Sequence, residues 1–162
     1  MIITGVVMGV LVGAALGVLW WRLAPRVPVL VEPNADPQIG YQPSEYIGAD
    51  VSFAALALVA GIAITVGLVR MRREHIASVL AAALAAAALG TALMWFVGTR
   101  LGSVDIAGLA ATATDSVTVE APLVVTLPGV YLVWPIAAAA VVTIFALIDV
   151  WRDARGRTLS PG

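Results

Sequence analysis

Four long stretches of the chain carry no charge. They run from Met1 to Trp21, Val51 to Val69, Ile76 to Thr99 and Ala121 to Ile148, which is 21, 19, 24 and 28 residues. About 20 helical residues cross a bilayer core roughly 30 Å thick. Each stretch therefore predicts a transmembrane helix. The fourth is interrupted by Pro122, Pro128 and Pro135. Its helix is placed at 128–148, with Pro128 in the first turn, where no N–H is needed. Pro135 cannot donate to the carbonyl of Tyr131, so a kink is expected there. The first stretch lacks a basic leader and is long for a signal-peptide core, so it reads as a true span. The expected spans are 1–21, 51–69, 76–99 and 128–148. Loops 22–50 and 100–127, a turn 70–75 and a tail 149–162 join or follow them.

The charges between the spans set an expected orientation. Arg70, Arg72 and Arg73 crowd the turn, and Arg152, Arg155 and Arg157 lie in the tail. Basic residues near span ends favour the cytoplasmic side. The two long loops each carry a net charge of −2: Arg22 and Arg26 against Glu32, Asp36, Glu45 and Asp50, then Arg100 against Asp105, Asp115 and Glu120. Both termini are expected inside and both loops outside. The expected fold is an all-α polytopic membrane protein with four helices and a small extracytoplasmic cap.

Composition supports the bilayer and narrows the chemistry. Of 162 residues, 61% are hydrophobic and 12% charged, and the mean hydropathy is +1.00. A soluble domain is about 45–50% apolar and about 25% charged. There is no Cys, no Lys and one His, so disulfides, thiolate metal sites, Schiff bases and multi-histidine sites are excluded. The net charge of −1 leaves no footprint for nucleic acid. No metal or cofactor is expected. The four spans as delimited contain no ionisable residue, which argues against a pump, a coupled transporter or a voltage sensor.

Small residues dominate the spans. Gly5, Gly9, Gly13 and Gly17 repeat at four-residue spacing and form one helix stripe about 18 Å long. Such a stripe admits another helix close to the backbone. It fits either packing within the chain or the docking of a partner helix. The third span is rich in alanine from Ala81 to Ala92. Trp20, Trp21, Phe53, Trp95, Phe96, Tyr131 and Trp134 all fall at predicted outer helix ends. Of these, Trp20, Trp21, Trp95, Tyr131 and Trp134 are expected to be interfacial anchors.

The outer loops contain strand-like stretches: Val27 to Val31, then Ser116 to Val119 leading into Leu123 to Leu127. Pro28 and Pro122 limit ladder donation, so only short pairing is expected in the cap. The acidic residues there, among them Glu45, Asp50, Asp115 and Glu120, lack the spacing of any catalytic motif and read as solvated loops. His75, after Glu74, is expected in the headgroup layer. Glu74 favours the positive end of the third helix.

Several segments carry a resemblance. They are Leu19-Trp20-Trp21-Arg22-Leu23-Ala24-Pro25-Arg26-Val27-Pro28, Tyr46-Ile47-Gly48-Ala49-Asp50-Val51-Ser52-Phe53, Ala121-Pro122-Leu123-Val124 and Gly129-Val130-Tyr131-Leu132-Val133-Trp134-Pro135-Ile136-Ala137. Together they resemble the LucB-like actinobacterial family of four-helix membrane proteins. The resemblance implies an accessory subunit of mycobacterial Mce lipid-import systems, seated beside the permease and other subunits and among membrane lipids. It implies no catalytic residues. The expected function is thus a non-catalytic accessory subunit of a lipid (fatty acid) importer. Its rivals are a stand-alone small lipid transporter, an assembly or stability factor for another envelope or respiratory complex and, last, an envelope enzyme using the outer carboxylates.

Overall fold

The computed structural model describes residues 2–31, 43–71, 75–112 and 114–158. Four helices are long and apolar enough to cross a membrane. The chain is an all-α polytopic protein whose only sheet among the described residues has two strands. Its elements are α1 (Ile2–Leu23), β1 (Pro28–Val31), α2 (Pro43–Met71), α3 (Ile76–Leu101), α4 (Ile106–Thr112), β2 (Val117–Glu120), a 3-10 helix (Pro128–Leu132) and α5 (Val133–Thr158).

The most extensive helix pair is α1 on α3. It follows from the glycine stripe. Gly5, Gly9, Gly13 and Gly17 are all buried. A Cβ built on them would meet, in order, Ala82, Ala86, Gly90 and Met94, largely at backbone atoms. Both sets ascend in steps of four, so α1 and α3 run parallel in one continuous register. Apart from these glycines only Trp20 is buried on α1. The stripe is therefore an internal seam. The alternative, a groove left open for a partner helix, is not how the chain uses it. Without side chains on one face, the two backbones come close enough for dispersion along their whole length, which replaces the hydrophobic drive absent in lipid.

Helices α2 and α3 also pack on each other, and α5 packs on both. Trp134 explains that placement. Its fully buried indole lies across Gly90 of α3, with its six-membered ring facing a built Cβ there at 2.5 Å, and reaches Gly61 of α2 at 3.0 Å. Two glycines on different helices make a seat that any Cβ would fill.

Helix boundaries differ from the apolar runs in three places. First, α2 begins at Pro43, so eight residues assigned to the loop are helical, and Asp50 lies inside a spanning helix. The expectation that the spans hold no ionisable residue is corrected accordingly. Second, α5 begins at Val133, after a separate 3-10 turn. Pro135 thus falls in the first turn, where the missing N–H has no helical partner to lose, and the expected mid-helix kink has no cause. Third, α5 continues to Thr158, so much of the tail is helix. In that extension the Arg155 guanidinium lies 3.5 Å from the Trp151 ring centroid, one turn away.

The cap sits on the α1 C-terminus and the α2 N-terminus. In its sheet β1 pairs antiparallel with β2, Pro28 opposite Glu120 and Val31 opposite Val117. Val27, Val29 and Val31 face inward while Pro28 and Leu30 face out, the period-2 pattern of a strand buried on one side. The strand-like run Leu123 to Leu127 is not a strand. Helix α4 was hidden in the second loop. Its start is marked by Asp105, whose Oδ1 accepts the Gly108 N–H at 2.9 Å, an N-cap signal in Asp105-Ile106-Ala107-Gly108.

Candidate functional site: the junction of cap and bundle

Four segments lie scattered between Leu19 and Ala137: 19–28, 46–53, 121–124 and 129–137. In the fold they meet in one place, where the cap joins the helix ends. Trp20 is their hub. It is fully buried, and its Nε1 donates to the Ala49 carbonyl at 3.0 Å. Its ring stands edge-on to Phe53 with centroids 5.0 Å apart, and Phe53 stands edge-on to Tyr131 at 5.8 Å. Such pairs add about 0.5–1.5 kcal/mol each beyond their burial. On the other side the Trp20 ring covers Gly98 of α3, where a built Cβ would meet Cζ3 at 2.7 Å.

Asp50 forms the second tie. Its carboxylate is fully buried. It accepts the Thr126 N–H at 3.0 Å, the Thr126 hydroxyl at 2.5 Å and the Leu127 N–H at 2.9 Å. These donors precede the 3-10 helix, so the carboxylate also sits at the positive end of that turn. Burying a carboxylate costs several kcal/mol unless hydrogen bonds replace its water. Three donors, two from backbone, do so here. Asp50 therefore fixes the chain's entry into α5 against α2.

Backbone bonds close the junction. Ala121 N–H donates to the Val27 carbonyl at 2.7 Å, and Leu123 N–H to Gly102 at 3.1 Å. Arg26 bonds Glu120 at 2.7 Å through Nη1 and the Trp21 carbonyl at 2.9 Å through Nη2. Glu120 is 66% exposed and Arg26 18%, so the ion pair itself contributes little, and its value is in holding the guanidinium.

The expected anchors divide into two groups. Trp95 is exposed on the outer surface, and its ring contacts half-buried Tyr131 edge-on at 6.5 Å. Trp21 is half-buried beneath two arginines. Trp20 and Trp134, by contrast, are core residues with no exposure, as is Phe53. Position along a span gives depth in the bilayer but not the face of the helix, and glycine seats turn both tryptophans inward. Buried without hydrogen-bond partners among the described residues are Trp21 Nε1, Trp134 Nε1 and the hydroxyls of Thr65 and Thr91.

The remaining predicted residues do not gather. Arg70, Arg152 and Arg155 are exposed near the helix ends remote from the cap. Arg72 and Arg73 lie outside the described residues, as does the side chain of Arg157. His75 precedes α3 without a side-chain capping bond. Among the outer carboxylates Asp50 is buried, Glu120 pairs with Arg26 and Asp115 is exposed, while the Glu45 side chain is outside the described set. Among the described residues no three His, Cys, Asp or Glu side chains group as metal ligands.

The junction can hold and orient. It couples the small cap to four helix ends through hydrogen bonds that run from buried to exposed, and the helices present exposed apolar side chains such as Val59, Ile136 and Leu147 outward. Comparison with protein-family models, curated proteins and solved structures finds no match to the chain.

Proposed function

We propose that this chain is a non-catalytic accessory subunit of a larger membrane complex, an Mce-type lipid importer of the bacterial plasma membrane, positioned beside its permease. The observation that carries the reading is convergence. The segments resembling the LucB-like family, far apart in sequence, assemble into one junction through buried Trp20, Asp50 and Phe53 and the more exposed Arg26. A set of residues that holds a cap rigidly at one end of a helix bundle suits a part that presents a surface to neighbours.

The docking route differs from the one the glycine stripe suggests. That stripe is taken by α3, so a permease would meet the outward faces of α2 and α5 and the cap instead. Val51, Val59, Leu132 and Ile136 are exposed there. Affinity purification of the tagged chain after mild solubilisation tests the proposal. Co-purification of permease and lipid-binding subunits is expected, and Ile136→Arg is expected to reduce it. Recovery of a homogeneous monomer under the mildest conditions would sink the reading.

A further inference from the structure

At the cap end of α1 an open cleft of about 190 Å³ is lined by Trp21, Arg22, Ala24, Arg26 and Glu120. We infer that this cleft binds the phosphodiester of a membrane phospholipid. The inference stands apart from the accessory-subunit reading and needs only that α1 crosses a bilayer.

Depth is the first argument. Helix α1 has 22 residues and is about 33 Å long at 1.5 Å per residue. That matches a hydrocarbon core of about 30 Å. Trp21 to Arg26 therefore lie where the core gives way to headgroups, and the cleft opens into the phosphate layer.

Charge is the second. Two guanidiniums and one carboxylate give the cleft a net charge of +1. That complements a phosphodiester, which carries one negative charge, better than a phosphomonoester, which carries about −1.5 to −2. The two arginines differ in role. Arg26 is already committed to Glu120 and to the Trp21 carbonyl. Arg22 is exposed and makes no ion pair among the described residues. Its guanidinium is the group left to take a phosphate, and a planar fork suits two phosphate oxygens.

Preorganisation is the third. Arg22 and Arg26 place their Cζ atoms 5.8 and 5.7 Å from the Trp21 ring centroid, within cation–π reach. The half-buried indole orients both guanidiniums at little entropic cost. A helix C-terminus ordinarily repels anions through its last carbonyls. Here two of the last four carbonyls are covered, the Trp20 carbonyl by the Ala24 N–H at 2.8 Å and the Trp21 carbonyl by Arg26 at 2.9 Å.

Native mass spectrometry of the full chain in neutral detergent reads the site directly. Phosphatidylglycerol, a diacylglycerol with the same acyl chains, and inorganic phosphate are the probes. The wild type is expected to retain phosphatidylglycerol but not diacylglycerol. Arg22→Gln is expected to lower retention about tenfold, the order of one charge-assisted hydrogen bond. Arg100→Gln, on an arginine outside the cleft that stacks on Phe96, is expected to leave it unchanged. Retention by the wild type is also expected to fall as ionic strength rises. Equal retention by Arg22→Gln, equal retention of diacylglycerol, or insensitivity to salt would overturn the inference. Displacement of the lipid by millimolar inorganic phosphate would overturn it too, by showing a site for the free anion.

Discussion

A methyl group added at Gly13 is expected to destabilise the bundle, while the same methyl at Gly67 is not. A Cβ at Gly13 would lie 2.7 Å from the Gly90 Cα and 2.8 Å from its carbonyl carbon. Carbon atoms rest about 3.5–4.0 Å apart at best contact, so α1 and α3 must part by about 1 Å. The obstacle is backbone, which cannot rotate away as a side chain could. Overpacking of this kind costs about 1–3 kcal/mol. The upper end applies because α1 is held almost wholly through this seam, and a gap of about 1 Å forfeits up to half of each contact's dispersion. Alanine's better helix propensity returns about 1 kcal/mol. The net for Gly13→Ala is a loss of about 2 kcal/mol. At Gly67 nothing lies within 4 Å of the built Cβ, so only the propensity gain of up to about 1 kcal/mol remains. For a chain of this size each kcal/mol moves Tm by roughly 2–4 °C. Thermal unfolding in detergent, followed by tryptophan fluorescence, should therefore shift down by about 4–8 °C for Gly13→Ala and up by about 2–4 °C for Gly67→Ala. Gly9→Ala combined with Gly13→Ala should cost less than the sum, because one separation of the helices accommodates both methyls. A Gly13→Ala variant as stable as wild type, or equal losses at both sites, would refute the seam.

Asp50→Asn is expected to lower stability by about 2–3 kcal/mol, because the amide can turn only one oxygen toward donors at Thr126 and Leu127 and aims N–H groups at the rest; equilibrium unfolding measures it, and a neutral result would mean that the carboxylate is dispensable. Trp134→Ala should cost about 3–5 kcal/mol by emptying the space over Gly61 and Gly90, whereas Trp134→Phe should cost much less, since the indole N–H it removes has no partner among the described residues. Glu120→Gln should change Tm by the equivalent of under about 1 kcal/mol, and the difference should vanish in high salt, as for any largely exposed ion pair.

Depth was legible in the sequence, and facing was not. Charge-free runs located all four spanning helices, because a bilayer penalises charge wherever it falls. The same runs say little about which side of a helix turns inward, since lipid and core are equally apolar. Trp20 and Trp134 show the consequence: both sit at span ends, where tryptophan normally anchors to the interface, yet both are core. A usable signal lay in their partners, for Gly98, Gly90 and Gly61 are glycines inside helices, where only a close neighbour gives a reason for the missing Cβ. Asp50 reads as a solvated loop residue for a related reason. A carboxylate at a span edge looks solvated until the chain returning 76 residues later brings donors to it. No local pattern encodes that meeting. Helix α4 left one local signal, Asp105 as N-cap, but seven residues with Gly108 among them are too few to show a helical period.

Seam and junction form one mechanical unit because Trp20 belongs to both. Along α1 it follows Gly5, Gly9, Gly13 and Gly17 on the buried face, and its ring rests on Gly98 of α3, the next step of the same register. Its indole N–H, however, binds α2 at Ala49, one residue from the carboxylate that holds the chain entering α5. A displacement of α1 along α3 would therefore reach α2 and then Thr126 and Leu127 through two hydrogen-bonded contacts, one buried and one part-buried. The acceptor of each contact is buried, Ala49 and Asp50 having next to no exposure, so a displaced donor leaves a buried oxygen to be satisfied. The cap, joined to Val27 by the Ala121 N–H, must follow. A partner bound to the cap would thus sense the packing of helices it need not touch, and methyls on the seam would weaken such a complex only as far as they loosen the bundle.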